Sequence, residues 1–599
     1  MLPAMVLGLT AQLLPTAGLA SSGSSIVTSG SLSSPFPQNK QNEPAIAIDL
    51  NPSDYSSSPP LPTQRILIAG ANDEIDLQPC YRTISTFGKC PFTPGVGVSG
   101  VYFSIDGGAT WVQPTYTGYS ARGTSSDGTS GPPSISPGRG GPIGTLPNYD
   151  TAGLVSDGDP GVAVGPRPGA GGFSWSNGSR FYYSNLTANF PGSHTLAVQE
   201  GVAVSHTDDL KGAKDGIDSA WSAPSIASGR QNPVLFEDKP AMWADNASSS
   251  RFFGQVYVTW TAFRAANAPN PFEPEPIMSA FSMDGGSTWS NPVQISPAAD
   301  SPSNGRQGST IRTDSSGNVY VFWEGFTKTT GAVQMMVVST DGGHTFSRPR
   351  PVAEVRDVGV FDPIEGRLLF DGVEGARTDS FPSVDIANNA PTGTGATDQI
   401  VLAWSDAGPN ANGKAITDPH RANSEESLMI TSTNRGRAWS SSPVAVSATG
   451  DRPDFTAVAI SPDGSKTYVT YDAFLQVFQT DWNNPRNMQG VVRQASISSS
   501  GVIAPFNDGF RGVSGDARGS SQNNLVLEFL GDYNFIVADN SAPFAVFNDA
   551  RNEADCPTVD TYRADFEAAL AGGTALPSKP DPGLVCTATP TFGNLDIFD

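Results

Sequence analysis

The string SIDGGATW (104–111) reads as a tight turn that closes on the largest apolar side chain a protein has. Its Asp accepts hydrogen bonds from backbone N–H groups in the turn, and its paired Gly supply backbone angles that a Cβ resists. Turn chemistry has no use for Trp111, so the ring is read as packing. The string recurs as SMDGGSTW (282–289), STDGGHTF (339–346) and the weaker STNRGRAW (432–439), after the short apolar strands GVYF, MSAF, MMVV and LMIT. A fainter fifth copy, SHTDDL (205–210), has an insertion before Trp221. Asp106, Asp284 and Asp341 brace these turns, while Trp111, Trp289, Phe346 and Trp439 fold back between neighbouring sheets. All seven are read as structural.

A longer unit surrounds each turn. It opens with a polar residue, often next to Pro, and an apolar strand: EPAIAID (43–49), DPGVAVG (159–165), KPAMWAD (239–245), GSTIRTD (308–314), FPSVDIA (381–387), RPDFTAVAIS (452–461) and DYNFIVAD (532–539). A second strand follows each, as in QVYVTWTAF (255–263) and VYVFWEGF (319–326), then the strand bearing the turn, then a fourth. Repeats of about 65 to 80 residues built this way predict a β-propeller. The expected fold is all-β with four-stranded blades, seven rather than the alternative six, and the turns lie between third and fourth strands. SSIVTSGSL (24–32) is placed to supply the outer strand of the last blade, whose third strand falls near NLDIF (594–598).

Residues 23–599 then form one propeller domain, with a Gly/Ser/Pro-rich insertion at about 117–147 and a stapled C-terminal segment, 556–599. Residues 1–22 read as a secretory signal, with a membrane anchor as the alternative that Pro15 and the short apolar run fit poorly, so the chain is expected outside the cell, with no membrane insertion once the signal is removed. Four cysteines allow three pairings. Proximity favours Cys80 with Cys90 and Cys556 with Cys586, in an oxidising setting. The net charge of −23 and the lack of a basic run exclude nucleic acid as a partner. No cofactor is required by any motif; a structural calcium would suit so acidic a chain, although no residues are assigned to it. A monomer is expected.

S-x-D-x-G-x-T-W is the Asp box, and the units from about Glu43 to Phe598 resemble the sialidase-like β-propellers with BNR repeats. The resemblance implies a glycoside hydrolase, in the sialidases proper one with a Tyr nucleophile and a Glu partner. The F/Y-R-I-P motif of those enzymes, whose Arg binds the substrate carboxylate, is absent; RILI at Arg65 reads as a strand. Family sialidases also have six blades, where this chain has seven units.

Strand alternation places the site. With the boxes on one face, the starts of first strands and the ends of second strands meet on the other, around the mouth of the central channel. Glu324 and Asp238 are the carboxyls expected to act there, with Tyr533 as the candidate nucleophile. Arg306, Arg377 and Arg452 lead consecutive units and are expected to bind an anion, unless each only pairs with a neighbouring Asp. Asp406, Asp472 and Trp260 complete the expected sugar contacts. The function expected is a secreted carbohydrate-active enzyme, a sialidase-like glycosidase acting on an acidic sugar or polysaccharide. The alternative is a non-catalytic propeller that binds glycan or protein at the cell surface.

Overall fold

The computed structural model describes residues 23–29, 40–55, 61–77, 92–121, 137–197, 200–229, 235–264, 275–297, 307–362, 367–370, 377–408, 424–479, 484–522 and 525–599. Seven antiparallel sheets stand in a ring, and the first strand of each touches the first strands of its neighbours. The chain is a seven-bladed β-propeller.

Blade 1 is built from Gln41–Ile48, Leu67–Asp73 and Ser99–Ser104. Blade 2 contains Gly161–Gly169, Gly172–Asn189, Gly201–Thr207 and Ser225–Ile226, with Leu154–Ser156 as an added strand. Blades 3, 4 and 5 start at Leu235–Ala244, Gln307–Thr313 and Ser383–Ile386, and each has four strands. Blade 6 opens with Arg452–Ile460. Blade 7 comprises Phe535–Ala538, Pro543–Asp549 and Asp596–Phe598, and Ile26 pairs with Phe598 on its outer side. The two chain ends thus close one blade: Val27 N donates to Ile597 O at 2.8 Å, and Asp599 N to Ser25 O at 3.0 Å.

The box turns share one hydrogen-bond plan. In blade 3, Asp284 Oδ1 accepts from Thr288 N at 2.9 Å and Ser282 Oγ at 2.8 Å, while Oδ2 accepts from Thr288 Oγ1 at 2.6 Å. Asp106 and Asp341 repeat it. Gly285 and Gly286 stand at φ +72° and +85°, where a Cβ is resisted. The aromatic ends pack toward the preceding blade. Trp289 lies against the core shared by blades 2 and 3, Phe346 against that of blades 3 and 4, and Trp439 edge-on to Phe322 of blade 4. Trp111 Nε1 donates to Asp599 Oδ2 at 3.2 Å and so ties blade 1 to the closing blade. Asp284→Ala is expected to lower stability by about 1–2 kcal/mol, the worth of a lost turn carboxylate, read by chemical denaturation; no change would show the turn to be held by its glycines alone.

A helix, Pro557–Gly572, lies in the connection between the second and third strands of blade 7, and a disulfide joins Cys556 to Cys586. Cys80 and Cys90 lie outside the described residues, as do the signal segment 1–22 and the middle of the 117–147 insertion. The insertion's ends pair as the hairpin Tyr116–Ser120 with Gly138–Ile143. Arg563 of the helix is fully buried; it donates to Ser520 O at 2.9 Å and Leu525 O at 3.2 Å, and reaches Glu528 at 3.2 Å. It thereby anchors the segment that leads to Asp532. Among the described residues no helix is long and apolar enough to cross a membrane, and no three His, Cys, Asp or Glu side chains group as a metal ion would need.

Candidate active site at the channel mouth

First strands reach the mouth through a repeated irregularity. The pairing register slips between Asn42 and Ala45, Asp238 and Ala241, Gln307 and Thr310, and Asp454 and Ala457. At these bulges Glu43, Lys239, Gly308 and Phe455 adopt φ of +54°, +50°, +62° and +54°, and Asp159 opens blade 2 at +50°. A bulge re-aims side chains. Glu43, Asp159 and Lys239 each precede a proline, which further disfavours such angles. Non-glycine residues held there cost about 1–3 kcal/mol each and gather where function requires them.

The bulges bring together a chain of carboxyls. Glu43 of blade 1 hydrogen-bonds to Asp159 of blade 2, and Asp159 to Asp238 of blade 3. Asn72 fixes the first two: its Nδ2 donates to Glu43 Oε2 at 2.9 Å, and its Oδ1 accepts from Asp159 N at 2.8 Å. Burial, then the charges of Asp159 and Asp532, push the Glu43 carboxyl well above the usual range. Burial likewise lifts Asp238 to about 7. Asp238 therefore exchanges its proton near neutrality.

Opposite them sits an ionised frame. Asp532 is gripped by Lys239 Nζ and, in a fork of two 2.6 Å hydrogen bonds, by Arg377 Nε and Nη2. Burial alone would raise the Asp532 carboxyl, but Arg377 and Lys239 outweigh it and hold it well below the usual range. Arg377 Nη2 also lies 3.8 Å from Glu43 Oε1, and its guanidinium rests 4.7 Å above the Phe529 ring. Tyr533 follows directly. Burial, then the field of Asp159, Glu43 and Asp532, pushes its phenol well above the usual value, so it stays protonated. A tyrosinate nucleophile is disfavoured here unless a neighbouring carboxylate takes the proton.

The mouth thus unites Glu43, Asn72, Asp159, Asp238, Lys239, Arg377, Asp532 and Tyr533. Glu324 stands on the adjoining wall, where it accepts from Ser380 N at 3.1 Å, hydrogen-bonds to Asp357 and lies near Asp379; burial and those two charges raise its carboxyl strongly.

Other expected contacts are placed elsewhere. The three arginines do not form one anion site among the described residues: Arg306 falls outside them, and Arg377 is spent on Asp532. Arg452 forks onto Glu425 at 2.9 and 3.1 Å and donates to Phe370 O and Gln476 O. Asp451, the neighbour of Arg452, is bound by Arg511 at 2.7 Å. Asp406 is buried, accepting from Trp404 Nε1, Arg356 N and Gly408 N. Asp472 is 0% exposed beside its cross-strand partner Asp454, and Trp260 is 0% exposed in the core of blades 2 and 3, with no face for a sugar ring.

Asp157 and Glu200, also close to Asp159, belong to the mouth and were not expected; burial is the main cause that lifts both, Asp157 to about 6. Glu200 opens a third strand, and the starts of third strands share the mouth's face, so strand alternation contained the signal.

These raised carboxyls set a stability profile. Asp73, Asp238, Asp245 and Asp379 are each pushed up to about 7, mainly by burial, against about 4 in an unfolded chain. From about pH 4 to 7 the folded protein keeps protons the unfolded chain has released, so stability falls as pH rises through that window. The Tm at pH 5 is expected to exceed that at pH 8 by about 3–5 °C. A Tm that climbs toward pH 8 would contradict the burial of these acids as neutral groups.

Fold and mouth together define a seven-bladed propeller with a buried carboxyl chain at one end of its channel, and the sialidase-like architecture that the boxes suggest fits it. No protein-family model and no curated protein matches the chain. Among solved structures it is similar to a Hadza microbial sialidase, 13% identical over 72% of this chain and 63% of that one, TM-score 0.36. It is also similar to the Trypanosoma rangeli sialidase in complex with the inhibitor DANA, 11% identical over 74% and 54%, TM-score 0.36. A protein of unknown function from Dyadobacter fermentans is 13% identical over 78% and 98%, TM-score 0.35. The chain spans less than two thirds of the length of the two sialidases. Likeness at this level assigns no activity.

Proposed function

We propose that the mouth is a glycoside-hydrolysing site with Glu43 as proton donor and Asp238 as the opposing carboxyl. One observation carries the reading: the strained starts of three successive blades, at Glu43, Asp159 and Lys239, converge where burial raises the Glu43 and Asp238 carboxyls, beside Asp532, which its cations hold well below the usual range. Environments that push neighbouring carboxyls apart in this way are how one site supplies both an acid and a base.

Carboxyls in hydrogen-bond contact stand closer than the roughly 5–5.5 Å needed to flank a scissile glycosidic bond. The working pair is therefore Glu43 and Asp238, and Asp159 lies between them as a hydrogen-bond partner of both. Lys239, Asp532 and Arg377 form a rigid rim, and Tyr533 offers a neutral hydroxyl to the sugar. Glu324 is a wall residue in this reading.

The test is a panel of neutral and acidic fluorogenic glycosides, presented to the purified protein near pH 6. Turnover that Asp238→Asn lowers by about 100-fold or more supports the reading. Glycan binding without turnover would make the mouth a lectin-like surface instead, and turnover indifferent to Asp238 would move the chemistry elsewhere.

A further inference from the structure

Beneath the rim the channel holds a cavity of about 100 Å³, about 860 Å³ when the open space at its mouth is included. Its walls are largely apolar, among them Val162, Met242, Phe381, Phe455 and Phe535; Lys239, Asp379 and Asp532 also line it, and Arg312 reaches into it. Arg312 also borders a second cavity, together with Val162, Met242 and Phe535.

Arg312 is only 5% exposed, and its guanidinium lies 4.5 Å from the Trp243 ring centre and 5.8 Å from that of Phe535. Nε donates to Asp385 Oδ1 at a long 3.3 Å, and Nη1 to Ile311 O at 2.8 Å. A guanidinium carries five N–H donors. Two are used, and the remaining three (5 − 2) meet no acceptor among the described residues. Asp385 is itself shared, since its other oxygen accepts from Ile460 N at 3.0 Å.

The contrast with other buried arginines is sharp. Arg452 has a fork on Glu425 and two carbonyls, and Arg563 has Glu528 and three carbonyls. A buried guanidinium with spare donors is costly unless an anion completes it. The Trp243 and Phe535 rings flank it, and its unspent N–H donors are what it has to offer a ligand. Such donors match a carboxylate, which takes two parallel N–H bonds.

We propose that the channel cavity binds a carboxylate carried on a slim apolar stem, with Arg312 at the floor taking its oxygens. Applied to the mouth's substrate this rests on the glycosidase reading, and the carboxylate then belongs to a substituent that reaches down past Lys239. It supplies an anion contact that the mouth arginines, already paired, do not.

Binding is measured apart from turnover. Butyrate and benzoate, with butyramide and benzamide as uncharged matches, are titrated into the full chain at pH 6 by calorimetry and ligand-observed NMR. The acids are expected to bind and the amides not, and Arg312→Gln is expected to weaken the acids at least tenfold. Should Arg312→Gln fail to fold, Ala241→Leu fills the cavity from its wall and is expected to do the same. Acids and amides binding alike, or acids binding both variants as they bind the wild type, would overturn the proposal, as would no binding at millimolar concentration. Glycosides with carboxylated and uncharged aglycones separate the two sources: a lower KM for the carboxylated one, abolished in Arg312→Gln, marks a substrate substituent. Acid binding without any turnover retains the site for free acids and fails only the glycosidase reading.

Discussion

Asp532→Ala is expected to cost about 3–5 kcal/mol of folding stability, the price of stranding buried cations. Lys239 has 8% of its side chain exposed and Asp532 1%, so neither charge can turn to water when the other is removed. Burial alone would lower the Lys239 ammonium, yet Asp532, Asp238, Glu43 and Asp159 hold it charged, with Asp532 first among them. Arg377 would lose both of its 2.6 Å bonds at once. Its other ion-pair contact among the described residues is Glu43, at the longer distance of 3.8 Å. Lys239 also sits at φ +50°, a strain its ion pair helps to sustain. Urea denaturation reads the loss directly. Combining Asp532→Leu with Lys239→Met should recover part of it, because a buried ion pair replaced on both sides by apolar groups of similar shape is often tolerated. A loss under about 1 kcal/mol for Asp532→Ala would mean that water reaches the frame and that the mouth is not the dry site described.

The propeller was legible because its evidence is local and repeated. A box such as SMDGGSTW encodes its turn through Asp284, Thr288 and two left-handed glycines, all within eight letters. The mouth's face was legible too, since strand direction alternates whatever the side chains are. Partnerships across the ring were not. Arg377 and Asp532 are 155 residues apart, and nothing in RTD (377–379) distinguishes a guanidinium aimed at Asp379 from one aimed across the channel. Arg452 finds Glu425 at the start of another strand, a pairing set by blade geometry rather than by adjacency. For Trp260 a signal existed. Val256, Val258, Trp260 and Ala262 share one side of the strand by period-2 alternation, and all four lie in one buried cluster. The bulges left a fainter trace: prolines after Glu43, Asp159 and Lys239 mark irregular strand starts, without showing that those residues turn left-handed.

Glu43→Gln separates a chemical role for the mouth from a structural one. Burial, reinforced by Asp159 and Asp532, pushes the Glu43 carboxyl well above its usual range and so favours its neutral form. Glutamine reproduces that neutral shape and can still meet Asn72 and Asp159, so the substitution is expected to leave Tm within about 1–2 °C of wild type. What glutamine lacks is a proton to give to a departing glycosidic oxygen. Turnover should fall by about 10²- to 10⁴-fold, the usual worth of a positioned general acid. Activated glycosides, whose leaving groups need little protonation, should be hurt least, which distinguishes loss of the acid from misfolding or lost binding. The wild-type rate should decline as pH rises and Glu43 deprotonates, and in Glu43→Gln that alkaline limb should disappear from the residual rate. Equal losses for good and poor leaving groups would reassign Glu43 to holding Asp159 and Arg377 in place. An unchanged rate would remove it from the chemistry, and with it the inference that the strained bulges exist to carry the acid.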